Sequence, residues 1–150
     1  STSNPASISQ AAAQAALDSD QACVGEMVKA FRERHDYLVK ALNELPGVEC
    51  LEGDGTFYVF PSFQGAIDAD SSVSTDVEFA EKLLTEAGVA LVPGSAFGCP
   101  GHMRLSFATS MDNLQKAVER VRSIGPSLAI DTFFAHKKRN GTIHFEAIKV

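Results

Sequence analysis

Val89-Ala90-Leu91-Val92-Pro93-Gly94-Ser95-Ala96-Phe97-Gly98-Cys99-Pro100-Gly101-His102-Met103-Arg104-Leu105-Ser106-Phe107-Ala108 is the stretch on which the fold can be read. Val89 to Val92 is a short apolar run with the length of a buried strand. The loop from Pro93 to Gly101 is dense in Gly and Pro and breaks that run. Met103 to Ala108 then alternates, with Met103, Leu105 and Phe107 on one face and Arg104, Ser106 and Ala108 on the other, which predicts a second strand.

Helix signals flank this strand pair on both sides. Downstream, Thr109-Ser110-Met111-Asp112 reads as a cap for a helix whose apolar face is Leu114, Ala117, Val118, Val121 and Ile124, ending at Gly125-Pro126. Upstream, Thr75-Asp76-Val77-Glu78 has the capping-box pattern, and Val77, Ala80, Leu83, Leu84 and Ala87 supply the apolar face of a helix stopped by Gly88. Residues 62–75 read as a polar loop, and Asp68, Asp70 and the adjoining Asp76 read as solvated. Before it, Val48–Leu51 and Thr56–Phe60 are strand-like runs around Gly53-Asp54-Gly55, and together they suggest a hairpin. Further upstream Val24, Met27, Val28, Phe31, His35, Leu38, Leu42 and Leu45 recur at three- and four-residue steps, the stripe of a long helix closed by Pro46-Gly47. An Ala-rich run from Ala6 to Leu17 predicts a short first helix, broken by Asp18-Ser19-Asp20. The expected fold is therefore α+β, a small sheet packed against helices.

The bulk properties narrow the function. One ordinary domain fits in 150 residues, and the net charge of −6 argues against nucleic-acid binding, which needs a basic footprint. No apolar run has the length of a bilayer span, so no membrane partner is expected. Cys23, Cys50 and Cys99 are odd in number and widely spaced, as expected of reduced thiols in a cytoplasmic protein. Residues 126–150 carry four basic against two acidic side chains, a net of +2 that leaves −8 for residues 1–125, so a boundary is expected near Gly125-Pro126.

Arg104 stands out chemically. A guanidinium offers two parallel donors to a carboxylate, and here it lies in a strand of small and apolar residues beside a Gly/Pro-rich loop. On pattern alone, an arginine on the solvent face of an edge strand is the commoner outcome. Phe57 and Tyr58 follow Gly55-Thr56; a core aromatic beside a surface tyrosine is the ordinary arrangement there. His35 reads as a packed core histidine. Cys99-x-x-His102 is half of a metal pattern with no second half, so no metal site is expected.

Several segments, in order, resemble the C-terminal part of fold-type I aminotransferases of the aspartate or aspartate/prephenate kind. These are Ser1-Thr2-Ser3-Asn4-Pro5 with its Ala-rich helix, Pro46-Gly47-Val48, Gly55 to Pro61, Ala87 to Gly98, and Gly101 to Ala108, covering about residues 1–124. The resemblance implies a small-domain fold preceded by a long interface helix. It divides the chain into an interface segment, residues 1–19, the small domain, residues 20–125, and an unrelated tail, residues 126–150. It implies that Arg104 binds the α-carboxylate of an amino-acid or 2-oxo-acid substrate, with Phe57 nearby, in a pyridoxal-phosphate-dependent homodimer. The family's Schiff-base lysine has no counterpart among Lys29, Lys40, Lys82, Lys116, Lys137, Lys138 and Lys149. This chain is thus expected to hold no catalytic or cofactor-binding residue, not to bind the cofactor alone, and to be inactive alone. The alternatives are an inactive aminotransferase-like binding or dimerisation module, and a lyase or regulator of the same fold type.

Overall fold

The computed structural model describes residues 4–124 and the two-residue strand Ile148–Lys149. The rest of the expected tail, residues 126–150, lies outside the described residues. The chain divides into two compact units, Ser1–Ala30 and Phe31–Val150.

In the first unit, α1 spans Ser7–Asp18 and buries none of its residues. A Gly- and Pro-free Ala-rich run has high helix propensity, which accounts for the helix without a core. The helix α2, Ala22–Asn43, begins in this unit, where Val24, Met27 and Val28 are exposed. Its remainder belongs to the second unit, and there His35, Leu38, Val39, Ala41 and Leu42 are buried. The apolar stripe expected along the whole helix is therefore covered only over its second half.

The second unit holds helices and a small antiparallel sheet of order β1-β4-β3, with β1 at Tyr58–Val59, β3 at Val92–Pro93 and β4 at Met103–Ser106. The register sets Tyr58 opposite Ser106 and Val92 opposite Arg104. Strand β4 is thus central, not an edge. The expected hairpin is corrected. Of the expected runs Val48–Leu51 and Thr56–Phe60, the first bridges Ser62, beyond the second, through Glu49, and the second takes β4 as its partner through β1. The physical reason is local: the Asn43 side chain accepts from the Cys50 N–H and donates to the Cys50 carbonyl, each at 2.8 Å, so this backbone is satisfied without a strand.

The polar loop expected over residues 62–75 contains a helix, α3, Gln64–Ala69, anchored by buried Phe63, Ala66 and Ile67. The helix α4, Asp76–Lys82, starts as expected: Thr75 Oγ1 accepts from the Glu78 N–H at 3.2 Å, and Glu78 accepts from the Ser74 N–H at 2.7 Å. Its core face is Asp76, Phe79 and Ala80, continued by Leu83 in the helical turn Leu83–Ala87 that follows, while Val77 and Leu84 are exposed. The expected single strand over 89–92 is two pieces. Val89–Ala90, β2, pairs in parallel with Ile148–Lys149, β5, and Val92–Pro93 pairs with β4. Helix α5, Met111–Ile124, follows the cap Ser110, whose Oγ accepts from the Asn113 N–H at 3.2 Å. One core joins these elements, with Leu42, Phe63, Phe79, Leu83, Met103, Phe107 and Leu114 all at most 2% exposed. No helix among the described residues is long and apolar enough to cross a membrane.

Candidate functional site

Strand alternation places the site. Met103, Leu105 and Phe107 are buried, and Arg104 and Ser106 are half-buried on the opposite face. Since Tyr58 stands opposite Ser106, its ring is the diagonal neighbour of Arg104 on that face. The guanidinium carbon lies 5.6 Å from the Tyr58 ring centroid and 4.8 Å from that of Phe97. Each contact is favourable by about 0.5–1 kcal/mol at such partly exposed sites. Both rings thus lie within cation–π distance of the same guanidinium. Among the described residues no carboxylate pairs with Arg104.

Phe97 is delivered by a braced loop. The turn Gly94–Phe97 follows β3, and the Ser95 N–H donates to Asp76 Oδ2 at 2.7 Å. The Gly94 N–H donates to the His102 carbonyl at 2.7 Å, and Gly98 closes the turn in the left-handed region at φ 76°. Asp76 is 4% exposed, which corrects its reading as a solvated loop residue: its carboxylate holds the backbone of the loop that carries Phe97.

Phe57 is 53% exposed; its ring makes an edge-to-face contact with Tyr58 at 5.6 Å, and its carbonyl accepts from the Ser106 hydroxyl at 3.4 Å. Neither aromatic is in the core; the buried member of this strand is Val59. The preceding Thr56 adopts φ 69°, which is uncommon for a β-carbon-bearing residue. Thr56 Oγ1 offsets the cost by donating to the Tyr58 carbonyl at 3.1 Å and accepting from the Tyr58 N–H at 3.2 Å. Phe57 is further tied down by its carbonyl, which accepts from the Phe107 N–H at 2.8 Å.

His35 is buried, as expected, and also polar-bonded. Its Nε2 accepts from the Gly53 N–H at 3.1 Å, which leaves Nδ1 to donate to Asp36 at 2.9 Å. Sequence reasoning allowed that one of Phe57 and Tyr58 faces away from the core, but it did not anticipate Phe97 against Arg104 or Asp76 as a brace. The alternation of β4 and the spacing to Phe97 carried part of the signal, but the pairing register was needed to bring the rings to Arg104. Among the described residues no cluster of three His, Cys, Asp or Glu could hold a metal ion.

A family model described as aminotransferase class I and II matches residues 1–121. An aspartate/prephenate aminotransferase from Nitrosomonas europaea is 53% identical over 129 residues, which are 83% of this chain and 32% of that protein. An aspartate aminotransferase from Geobacillus stearothermophilus is 48% identical over 81% of this chain and 30% of its own length. The crystal structure of the aspartate aminotransferase from Rhizobium meliloti superposes with a TM-score of 0.75 at 39% identity, covering 83% of this chain and 32% of that one. The chain thus spans about a third of the length of these relatives.

Proposed function

The chain belongs to the class I and II aminotransferases, and on that premise we propose that it is the C-terminal, small-domain part of an aspartate-type transaminase in which Arg104 receives the substrate α-carboxylate. The observation that carries this reading is the guanidinium held between Tyr58 and Phe97 with no carboxylate of its own among the described residues. A guanidinium can meet a carboxylate through two parallel N–H groups, which orients as well as binds the substrate. Tyr58, with Phe57 edge-on to it, adds apolar surface beside Arg104.

Pyridoxal phosphate, the electron sink of the family chemistry, does not fit the donor set of the described residues. Among the described lysines, Lys29 and Lys40 lie exposed on α2, Lys82 is tied to Asp70 and Ser72, Lys116 is tied to Asp112, and the aromatic rings against Arg104 are those of Tyr58 and Phe97. No step through that cofactor is assigned to this chain. On this reading the cofactor lysine belongs to sequence that the relatives have and this chain does not span, and what this chain contributes is carboxylate binding and orientation.

The test has two arms. The purified chain, given pyridoxal phosphate, aspartate and 2-oxoglutarate, should show no turnover. In a polypeptide extended to the relatives' full length with its own upstream sequence, Arg104→Lys should lower kcat/KM roughly tenfold to a hundredfold, the loss expected for a charge-assisted bidentate pair reduced to a point charge. Unchanged kcat/KM in that variant would remove Arg104 from substrate binding.

A further inference from the structure

Cys99 and His102 stand at the two ends of the Cys-Pro-Gly-His turn, and the fold brings Cys99 Sγ to 3.3 Å from His102 Nδ1. The same nitrogen is 3.3 Å from the Pro100 carbonyl oxygen. With the neutral ring protonated on Nε2, Nδ1 is free to take the thiol proton, and the imidazolium so formed donates from Nδ1 to the Cys99 thiolate and to the Pro100 carbonyl, which only accepts and so favours that protonated state. The imidazole lies over the Phe60 ring, with centroids 5.3 Å apart and planes 22° apart, and an aromatic face favours a cationic ring above it. The backbone holds the pair in place. The Cys99 N–H donates to the Gly94 carbonyl at 3.0 Å, and the Gly94 N–H donates to the His102 carbonyl at 2.7 Å. A β-carbon at Gly94 would collide with the Cys99 carbonyl oxygen, so the turn closes only around glycine. Cys99 itself is partly exposed.

We propose that Cys99 is a histidine-assisted reactive thiol that exchanges with low-molecular-weight disulfides. His102 Nδ1 takes the Cys99 proton. The thiolate attacks one sulfur of the disulfide; that S–S bond breaks as the Cys99–sulfur bond forms. The departing thiolate recovers a proton from the imidazolium, so one disulfide and one thiol give one mixed disulfide and one thiol. The other two cysteines are built-in controls. Cys23 is exposed on α2, and Cys50 is buried, with burial pushing its thiol up to about 11. The modified residue would lie two positions after Phe97, on the loop that presents this ring to Arg104.

The experiment treats the full chain with oxidised glutathione and follows each cysteine by peptide mass. Cys99 should be modified roughly tenfold faster than Cys23 near neutral pH although it is less exposed, and Cys50 should stay free. The Cys99-to-Cys23 rate ratio should be largest near about pH 6.5 and shrink toward about pH 9.5, where an ordinary thiol ionises unaided. His102→Gln should slow Cys99 roughly tenfold and leave Cys23 unchanged. A Cys23 rate equal to or above that of Cys99, or a ratio that does not change with pH, would overturn the proposal in the native chain whether or not the variant folds. An unchanged Cys99 rate in a folded His102→Gln would do the same.

Discussion

At the residue scale, Asp70 shows how a side chain that reads as solvated becomes structural. Lys82 Nζ lies 2.5 Å from its Oδ2, and the Ser72 hydroxyl and N–H donate to Oδ1 at 2.6 Å and 2.9 Å. The Lys82 hydrogen bond and then the Ser72 bonds hold the Asp70 carboxyl down at about 2, outweighing the opposing effect of burial. A carboxyl depressed in the folded chain adds stability that is complete above its unfolded value near about 4, and that is lost as pH falls through the folded value. Urea midpoints should therefore drop between about pH 4 and pH 2, and Asp70→Asn should flatten the curve in that window. At neutral pH the variant should be less stable by about 1–3 kcal/mol, because Lys82 loses its charged partner. Equal slopes for the two proteins would show that the pair contributes nothing. Nothing in the spacing of Asp70, Ser72 and Lys82 announces this cluster; it exists because α3 and α4 are packed together. Arg104 is the contrasting case. Its face was readable from the alternation of β4, whereas its aromatic clamp was not, since Tyr58 and Phe97 approach it from two other segments.

At the scale of elements, the contact of the α2 stop with α3 constrains the backbone on both sides. Gly47 has φ 74°, its carbonyl accepts from the Ala66 N–H at 3.1 Å, and a β-carbon on it would overlap the Gly65 and Ala66 backbone. Gly65 returns the constraint, since a β-carbon there would lie 2.7 Å from the Gly47 Cα. Gly47→Ala should thus destabilise by about 2 kcal/mol or more, from the left-handed φ and from the forced separation of α3. Chemical denaturation would show it, and a loss below about 0.5 kcal/mol would mean that the junction relaxes freely. The Pro46-Gly47 stop was plain in the sequence, but the glycine pair was not. The six-residue α3 is shorter than the window in which helical period becomes visible, and its flanking Ser, Gln and Asp residues resemble a loop. The long helices α2 and α5 and the capped start of α4 were readable because each carries several turns or a two-sided cap. The core face of α4 was not, because two apolar stripes overlap on it and only packing selects Phe79 over Val77.

At the scale of the molecule, the two units differ in how their helices are held. α1 has no buried residue, with Ile8 at 83% and Leu17 at 82% exposure, and a helix of about 12 residues is marginal on propensity alone. Its amides should exchange with solvent within seconds to minutes, while those of Leu38 to Leu42 and of β4 should be protected to the level of global unfolding. Comparable protection in α1 and β4 would contradict this. The residues of the expected tail outside Ile148–Lys149 enter no such comparison.

What the sequence by itself determined is periodic: two strong amphipathic helices, the alternating strand of Arg104 and the glycine stops, each local and arising from backbone geometry repeated over a few residues. The family came from the resemblance of the ordered motifs, not from periodicity. Only the tertiary structure decided which strand β1 joins, which stripe of α4 is covered, and that Tyr58 and Phe97 close on Arg104 while His102 closes on Cys99. Those outcomes depend on contacts between segments far apart in the chain or across tight turns, where burial and hydrogen-bond satisfaction, not local preference, select one arrangement among several that the sequence alone allows.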